Sequence, residues 1–306
     1  MAQTNEQKIR AQLPFIRFLQ AYLPLRVARW AEKRSATHVN LPTDITREVV
    51  LADGVRCEWL IPPNSPNDQV LLYLHGGGFV YGLSSLHRQM VAYVAQKMSV
   101  RVLLVDYRLA PDFPFPAALE DCVIAYRWLL KQGAVAQQIV LAGDSAGGNL
   151  VLTTLMKLRA SGDPLPTAAA CLSPVADLSD RGNSSKGFRD PLLHPKAMRF
   201  FNESYTAHQD ARDPLISPVF GDWHNLPPLL VHAGEDESLR DDAVQVASLA
   251  KAAGVDVRLE IYPRMWHVWQ LYLTLPQATQ SLDDIAQFLK AHLMAARPRG
   301  TTAKGE

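Results

Sequence analysis

The sequence predicts an α/β protein with a mixed, largely parallel β-sheet that is flanked by helices on both faces. Three observations support this fold class. An antiparallel hairpin pattern comes early, apolar strands then alternate with amphipathic helices, and no internal repeat or low-complexity linker divides the 306 residues. In such sheets the loops at the carboxyl ends of the strands meet along one edge, so we expect the functional site there.

The overall composition indicates a globular protein without polyanionic partners. Apolar residues make up 48% of the chain, and 31 Lys and Arg balance 30 Asp and Glu, so we expect neither nucleic acid nor an acidic membrane surface as a partner. Prolines and an arginine interrupt the apolar stretch 13–25. We therefore expect neither a secretory signal nor stable membrane insertion of this stretch. Cys57, Cys122 and Cys171 lie far apart in apolar segments and are interpreted as core thiols in a reducing, cytoplasmic location.

The amino-terminal part of the chain predicts a helix and then a hairpin. Apolar and basic residues recur at helical spacing over residues 1–40, and this helix either packs on the body of the fold or forms part of a lid over the site. Segments 45–51 and 55–61 flank Asp53-Gly54, a dipeptide typical of hairpin turns.

The βα alternation begins after the hairpin and is interrupted once. Residues 180–214 are polar and without clear periodicity, apart from apolar residues around 198–205, which predicts an insertion rather than a layer of the sheet. The tail 297–306 is polar and is predicted to be disordered. The predicted strands are 70–74, 101–106, 139–142, 168–172, 229–233 and 255–261, and the predicted helices are 87–98, 117–132, 149–158, 241–253 and 282–293.

The stretch 139–150 predicts a strand, a tight turn and a helix around Ser145. The turn reads Gly143-Asp-Ser-Ala-Gly147, and side chains in place of the two glycines would collide with the neighbouring strand or helix. Such a turn holds the serine hydroxyl out at the carboxyl end of the sheet. Ser145 is therefore the candidate nucleophile.

A serine nucleophile needs a base, usually a histidine, which is oriented by a carboxylate. His267 is the candidate base, because it follows the last predicted strand on a loop before the final helix; the other histidines fit surface, core or loop positions better. The acid is expected between serine and histidine in the chain and after a strand. The loop 234–242 offers five carboxylates, of which Asp241 and Asp242 suit the amino terminus of the following helix, so the residues alone leave the acid open.

A candidate oxyanion loop follows the strand 70–74. It reads His75-Gly-Gly-Gly-Phe79, and its consecutive glycines allow the backbone to approach a ligand closely. A tetrahedral intermediate needs backbone N–H donors, and the amide of Ala146, the residue after the nucleophile, is expected to supply another.

Three motifs in order resemble the hormone-sensitive lipase family of α/β-hydrolases, in its bacterial esterase branch. They are His75-Gly-Gly-Gly78, Asp106-Tyr-Arg-Leu-Ala-Pro111 and Gly143-Asp-Ser-Ala-Gly-Gly148, and the likeness runs from about residue 68 to residue 270. The resemblance implies the α/β-hydrolase fold as a single domain over 1–306. It also implies a helical cap from about 1–45 and 180–212.

The resemblance also implies roles for particular residues. The family's acid motif aligns on residues 237–241, which makes Glu237 the triad acid, with Asp236 as the fallback. His267 is the implied base, His75 is implied to shape the oxyanion loop, and Asp144 is interpreted as a packing and hydrogen-bonding residue. The implied oxyanion donors are Gly77, Gly78 and Ala146.

The expected activity is hydrolysis of short- to medium-chain carboxylic esters through an acyl-serine intermediate, with no metal and no organic cofactor. The same machinery also acts on lactones, acetyl groups, carbamates or amides, so these substrates remain alternatives. A ligand receptor that has lost the triad histidine is disfavoured because His267 is present. A homodimer through the last strand and helix is a further expectation from the resemblance. The expected pocket walls are Phe79, Leu83, Phe201 and Trp269.

Overall fold

An eight-stranded β-sheet lies at the centre of the computed structural model, which describes residues 4–36, 41–179 and 190–296. The strands lie in the order β1-β2-β4-β3-β5-β6-β7-β8. β2 runs antiparallel to β1 and β4, and the other neighbouring pairs are parallel, which confirms the mixed, largely parallel sheet. The strands are β1 (Thr46–Ala52), β2 (Val55–Ile61), β3 (Val70–Leu74), β4 (Arg101–Val105), β5 (Ile139–Asp144), β6 (Ala168–Leu172), β7 (Leu229–Gly234) and β8 (Val257–Tyr262).

Helices cover both faces of the sheet. α4, α5 and α7 pack on one face and α3 and α8 on the other, so successive strand residues alternate between two cores; Leu72 lies in the first core, and Leu71 and Tyr73 lie in the second. Burial on both faces explains why the inner strands are apolar throughout. The helices are α1 (Asn5–Tyr22), α2 (Leu25–Ala36), α3 (Ser85–Met98), α4 (Ala117–Lys131), α5 (Ala146–Ala160), α6 (Pro195–Thr206), α7 (Arg240–Ala252) and α8 (Pro276–Ala295).

The early hairpin is confirmed, whereas the single amino-terminal helix is wrong. β1 and β2 pair with Ala52 opposite Val55, on either side of the predicted turn. The amino-terminal segment forms two helices, because Leu23 is extended (ψ 128°) and the proline that follows it disfavours helical backbone at that position. Predictions for residues 1–3 and 37–40 lie outside the described residues.

The βα units are confirmed with shifted boundaries. α5 begins directly after the serine rather than at 149, α8 begins at Pro276 rather than at 282, and β8 begins at Val257 rather than at 255. The predicted insertion contains α6, while residues 180–189 and the tail 297–306 lie outside the described part of the chain. The three cysteines are buried and unpaired. Of the helices described, none combines the length and the apolar character needed to cross a bilayer.

Candidate active site

Ser145 occupies a strained turn between β5 and α5. Its backbone has φ 53° and ψ −119°, a conformation that L residues rarely adopt. A Cβ atom on Gly143 would lie 2.5 Å from the carbonyl oxygen of Gly147, and one on Gly147 would lie 2.0 Å from that of Leu74. Both contacts are too short, so the prediction that these two positions require glycine is confirmed.

The loops after β7 and β8 bring two further side chains to Ser145. His267 Nε2 lies 2.8 Å from Ser145 Oγ, and His267 Nδ1 lies 2.9 Å from Glu237 Oε2. All three side chains are buried. The other carboxylate oxygen of Glu237 accepts a hydrogen bond from the backbone N–H of Gly234 at 2.9 Å, which fixes the orientation of the acid.

The fallback acid, Asp236, points elsewhere. Its Oδ2 lies 2.9 Å from Arg10 Nη1 on α1, and about a third of its side chain is exposed. Neighbouring residues on this loop therefore face different partners, and Glu237 is the carboxylate that contacts the histidine. Asp242, another carboxylate of the same segment, accepts the backbone N–H groups of Ala176 and Asp177.

The Glu237 carboxylate changes the proton affinity of His267. Burial by itself lowers the pKa of His267, but the hydrogen bond and the negative charge of Glu237 outweigh burial. The pKa of His267 is therefore raised above its ordinary value of 6.5. This arrangement favours a histidine that can take up a proton when the serine hydroxyl loses it.

The predicted oxyanion loop lies beside the serine. Gly77 and Gly78 have φ values of +119° and +59°, which glycine adopts without strain. The carbonyl of Gly77 accepts the N–H groups of Val80 and Tyr81, so the loop is a closed turn. Within the described residues, the N–H groups of Gly77, Gly78 and Ala146 donate to no other group of the protein. They are thus available to a ligand oxygen.

A buried hydrogen-bond network around Asp144 supports the oxyanion loop. Asp144 accepts hydrogen bonds from Tyr73 Oη at 2.8 Å and from the N–H of Gly76 at 3.0 Å, and it lies 3.2 Å from His87 Nε2. Burial would raise the pKa of Asp144, but the charge of His87 and the hydrogen bonds from His87 and Tyr73 hold it below its ordinary value. Asp144 is therefore a hydrogen-bonding residue, as predicted.

The histidine that begins the loop has a structural role as well. The ring of His75 stacks on Tyr107 with 4.2 Å between ring centroids, and Tyr107 Oη donates to the carbonyl of His75 at 2.7 Å. Burial and the nearby charge of His87 lower the pKa of His75 to about 4, so its ring is neutral at neutral pH. Tyr107 belongs to the motif Asp106-Tyr-Arg-Leu-Ala-Pro111, one of the three on which the resemblance depends.

Known proteins are similar to this chain in fold and in sequence. A family model described as the α/β-hydrolase fold matches residues 71–271. An acetyl-hydrolase of Streptomyces hygroscopicus is 39% identical over 270 residues, which are 87% of this chain and 89% of the relative. An esterase of Acinetobacter venetianus is 35% identical over 251 residues, which are 81% of this chain and 82% of the relative.

A solved structure is similar to this chain over nearly its whole length. The crystal structure of an esterase from the bacterial hormone-sensitive lipase family has a TM-score of 0.87 and 40% identity, and the match covers 96% of this chain and 100% of that one. The chain belongs to the hormone-sensitive lipase family of α/β-hydrolases. Its enzyme class is carboxylic ester hydrolase.

In this hydrolase a cavity of about 300 Å³ opens above Ser145. Phe79 and Phe201 line it as predicted, but Leu83 and Trp269 do not. Leu83 packs instead in the core with residues of α3, and Trp269 is buried in a separate cluster with Leu13. The chain segments outside the sheet contribute Gln20, Leu192, Leu193, Met198, Phe201 and Asn202 to the lining.

One buried residue that contacts the neighbour of Glu237 was missed from the sequence. Asp190 is buried and accepts the N–H and the hydroxyl of Ser238, the neighbour of Glu237, at 2.7 and 3.0 Å. Its other oxygen accepts the N–H groups of Leu192 and Leu193, which begin the lining segment. The dipeptide Asp-Pro at 190–191 is a turn signal that indicates such a side-chain bond to the backbone.

Proposed function

We propose that this hydrolase cleaves short- to medium-chain carboxylic esters through an acyl-serine intermediate on Ser145. One observation carries the proposal: Ser145, His267 and Glu237 form a continuous hydrogen-bonded chain, at 2.8 and 2.9 Å, at the base of the cavity. A serine, a histidine and a carboxylate in this geometry are the groups that nucleophilic acyl transfer requires.

In the proposed first half-reaction, Ser145 Oγ attacks the ester carbonyl carbon while His267 Nε2 takes the hydroxyl proton. The carbonyl oxygen becomes an oxyanion, which accepts hydrogen bonds from the amides of Gly77, Gly78 and Ala146. Ala146 is the first residue of α5, so the positive end of the helix dipole supports the same charge. The intermediate then collapses, and His267 returns the proton to the departing alcohol.

In the proposed second half-reaction, His267 removes a proton from a water molecule, which attacks the acyl-serine carbonyl. The new tetrahedral intermediate uses the same amide donors, and its collapse releases the carboxylic acid and restores the Ser145 hydroxyl. Glu237 keeps the ring of His267 in the tautomer that faces the serine and stabilises its charged form. No group outside these side chains, the backbone amides and water is needed to balance the reaction.

We also propose that α1, α2 and α6 form a cap on a single α/β-hydrolase domain. Gln20 on α1 and Met198, Phe201 and Asn202 on α6 line the cavity. Arg17 on α1 donates through Nε to the carbonyl of Leu193, just before α6, at 3.1 Å, so these segments contact each other. The cavity volume is at the small end of the usual range for ligand sites, which favours short or medium acyl chains.

Hydrolysis of a series of p-nitrophenyl esters, from acetate to palmitate, tests the activity. We expect rates that are highest for short or medium chains and that Ser145→Ala abolishes. The series begins at acetate because one relative is named an acetyl-hydrolase. If the intact protein were inactive throughout, lactones and acetylated amides would be assayed next, and ligand binding without turnover would support the receptor alternative.

We further propose a homodimer through β8 and α8 and a cytoplasmic location. β8 is at the edge of the sheet, so its outer backbone groups are not paired within the described chain. Light scattering coupled to gel filtration gives the mass directly. A monomer mass at micromolar concentration would contradict the dimer.

A further inference from the structure

Two aromatic side chains of α6 lie directly against the oxyanion loop. A Cβ atom on Gly78 would lie 2.6 Å from Cδ2 of Phe201, so the Phe201 ring occupies the space that a side chain at position 78 would need. The Tyr205 ring stacks on Phe79 with 3.7 Å between centroids and 7° between planes. Phe201 and Tyr205 are four residues apart on the helix and therefore share one of its faces.

The loop that they touch has an unusual backbone. Gly77, Gly78 and Phe79 all have positive φ, and at Phe79 (φ 63°) a bulky side chain makes this conformation unfavourable. Such a conformation persists only where surrounding contacts hold it. Phe79 is almost fully buried, and its carbonyl accepts the N–H of Ala110 at 2.9 Å. The stacked ring of Tyr205 is one of the groups that pack against the Phe79 side chain.

We propose that Phe201 and Tyr205 are positioning residues that hold Gly78 and Phe79 in the conformation in which the loop amides face the oxyanion. The proposal rests on the proposed function in taking the Gly77 and Gly78 amides as oxyanion donors. It makes α6 part of the catalytic apparatus as well as a wall of the cavity. Docking of α6 then sets the stabilisation of the transition state, in addition to access of the substrate.

The ring of Tyr205, rather than its hydroxyl, performs this role. The hydroxyl is buried and has no hydrogen-bond partner among the described residues. The carbonyl of Tyr205 accepts the N–H of Phe115 at 2.8 Å, and this backbone bond does not depend on the side chain. Tyr205→Phe therefore keeps the stack, whereas Tyr205→Leu removes it. Tyr205 does not line the cavity, so its replacement leaves substrate contacts intact.

The experiment compares Tyr205→Leu with Tyr205→Phe and with Phe200→Leu. Phe200 is a neighbour on the same helix, with 40% of its surface exposed, and it does not line the cavity. Steady-state kinetics with p-nitrophenyl butyrate are expressed per active site, counted from the burst of p-nitrophenol. We expect Tyr205→Leu to lower kcat by about tenfold to hundredfold with KM nearly unchanged. This decrease in kcat is smaller than the decrease caused by deleting one oxyanion donor. Tyr205→Phe and Phe200→Leu should retain the kcat of the intact protein.

Two further readouts separate positioning from general damage. The inhibition constant of a trifluoromethyl ketone, which forms a tetrahedral oxyanion adduct on the serine, should rise in Tyr205→Leu in parallel with the loss of kcat. The acid limb of the kcat/KM profile should not move, because the contact between His267 and Glu237 is untouched. Phe79→Leu removes the same stack from the loop side, and its effect should not add to that of Tyr205→Leu.

Several outcomes would overturn the proposal. These are an unchanged kcat in Tyr205→Leu, an equal loss in Phe200→Leu, or additive effects of Tyr205→Leu and Phe79→Leu. If Tyr205→Leu did not fold, Tyr205→Met, which also removes the ring stack and leaves the cavity lining intact, would replace it with the same kinetic and inhibitor readouts. Failure of the proposed function would look different, since the intact protein would then show no esterase activity at all.

Discussion

The carboxyl edge of the sheet and the cap hold their residues in different ways. Ser145, Glu237 and His267 follow β5, β7 and β8, and each is buried and hydrogen-bonded on loops that the strands anchor. In α1, by contrast, Leu13 is the fully buried side chain, while Phe15 and Phe18 are more than half exposed. The residues at the sheet edge are therefore enclosed by the protein, whereas α1 exposes much of its surface to solvent.

One of the contacts between α1 and the loop after β7 is a partly exposed ion pair. Arg10 pairs with Asp236 where both side chains are about a third exposed, and such pairs contribute little because solvent screens them. α6 differs from α1, since Phe201 and Tyr205 are buried against the oxyanion loop. The sheet therefore holds Ser145, Glu237 and His267 together, and α6 packs on the oxyanion loop.

The largest expected effect is that of Ser145→Ala. Without the nucleophile, the remaining groups bind the ester but form no acyl-enzyme, so kcat should fall by about 10⁶-fold, as for other serine hydrolases. The p-nitrophenyl ester assay measures the loss, and circular dichroism checks that the fold persists. Residual turnover above about one percent would mean that the sheet edge does not carry the chemistry in the proposed way.

A smaller but still large loss is expected for Glu237→Gln. The amide cannot stabilise the protonated ring of His267 or enforce its tautomer, so kcat should fall by about 10⁴-fold. Asp236→Asn is the matched control on the same loop, and it should retain activity because Asp236 contacts Arg10 instead. If Asp236→Asn lost activity and Glu237→Gln retained it, Asp236 would be the acid and the assignment of Glu237 would be wrong.

Two apolar residues of α1 test how the cap is attached. Leu13→Ala should weaken the docking of α1 by about 2–5 kcal/mol, because Leu13 is fully buried beside Trp266 and Trp269. Phe18→Ala, on the exposed side, should change stability by less than about 0.5 kcal/mol. Hydrogen exchange of the α1 amides measures both. Equal effects would show that the exposed aromatic face is packed in solution.

The smallest effect concerns pH. His267 acts as a base only when neutral, so kcat/KM should rise with pH, and its midpoint should lie above 6.5 because Glu237 raises the pKa of His267. In Glu237→Gln the negative charge is lost while burial remains, so the midpoint should move to lower pH. A pH profile of the residual activity checks this shift. If the midpoint of the pH profile did not move, its acid limb would reflect the titration of a group other than His267.

Much of the fold could be predicted because its signals are local. The hairpin follows from Asp53-Gly54 between alternating strands, and the strained turn follows from Gly143 and Gly147 around the serine. The break between α1 and α2 was missed, although Pro24 signals it, because helical periodicity continues across the proline. The starts of α3, α5 and α8 were also predicted too late, since their first turns carry few apolar residues.

The sequence by itself determined the α/β class and the family motifs, and it predicted Ser145 and His267 as the candidate nucleophile and base. Only the tertiary structure separated Glu237 from Asp236 by contact, brought Asp190 to the acid loop and set Tyr205 on Phe79. The physical reason is the range of the interactions. Strands, turns and helices depend on residues a few positions apart, whereas Ser145 and His267 are 122 positions apart and meet only when the parallel strands align their ends.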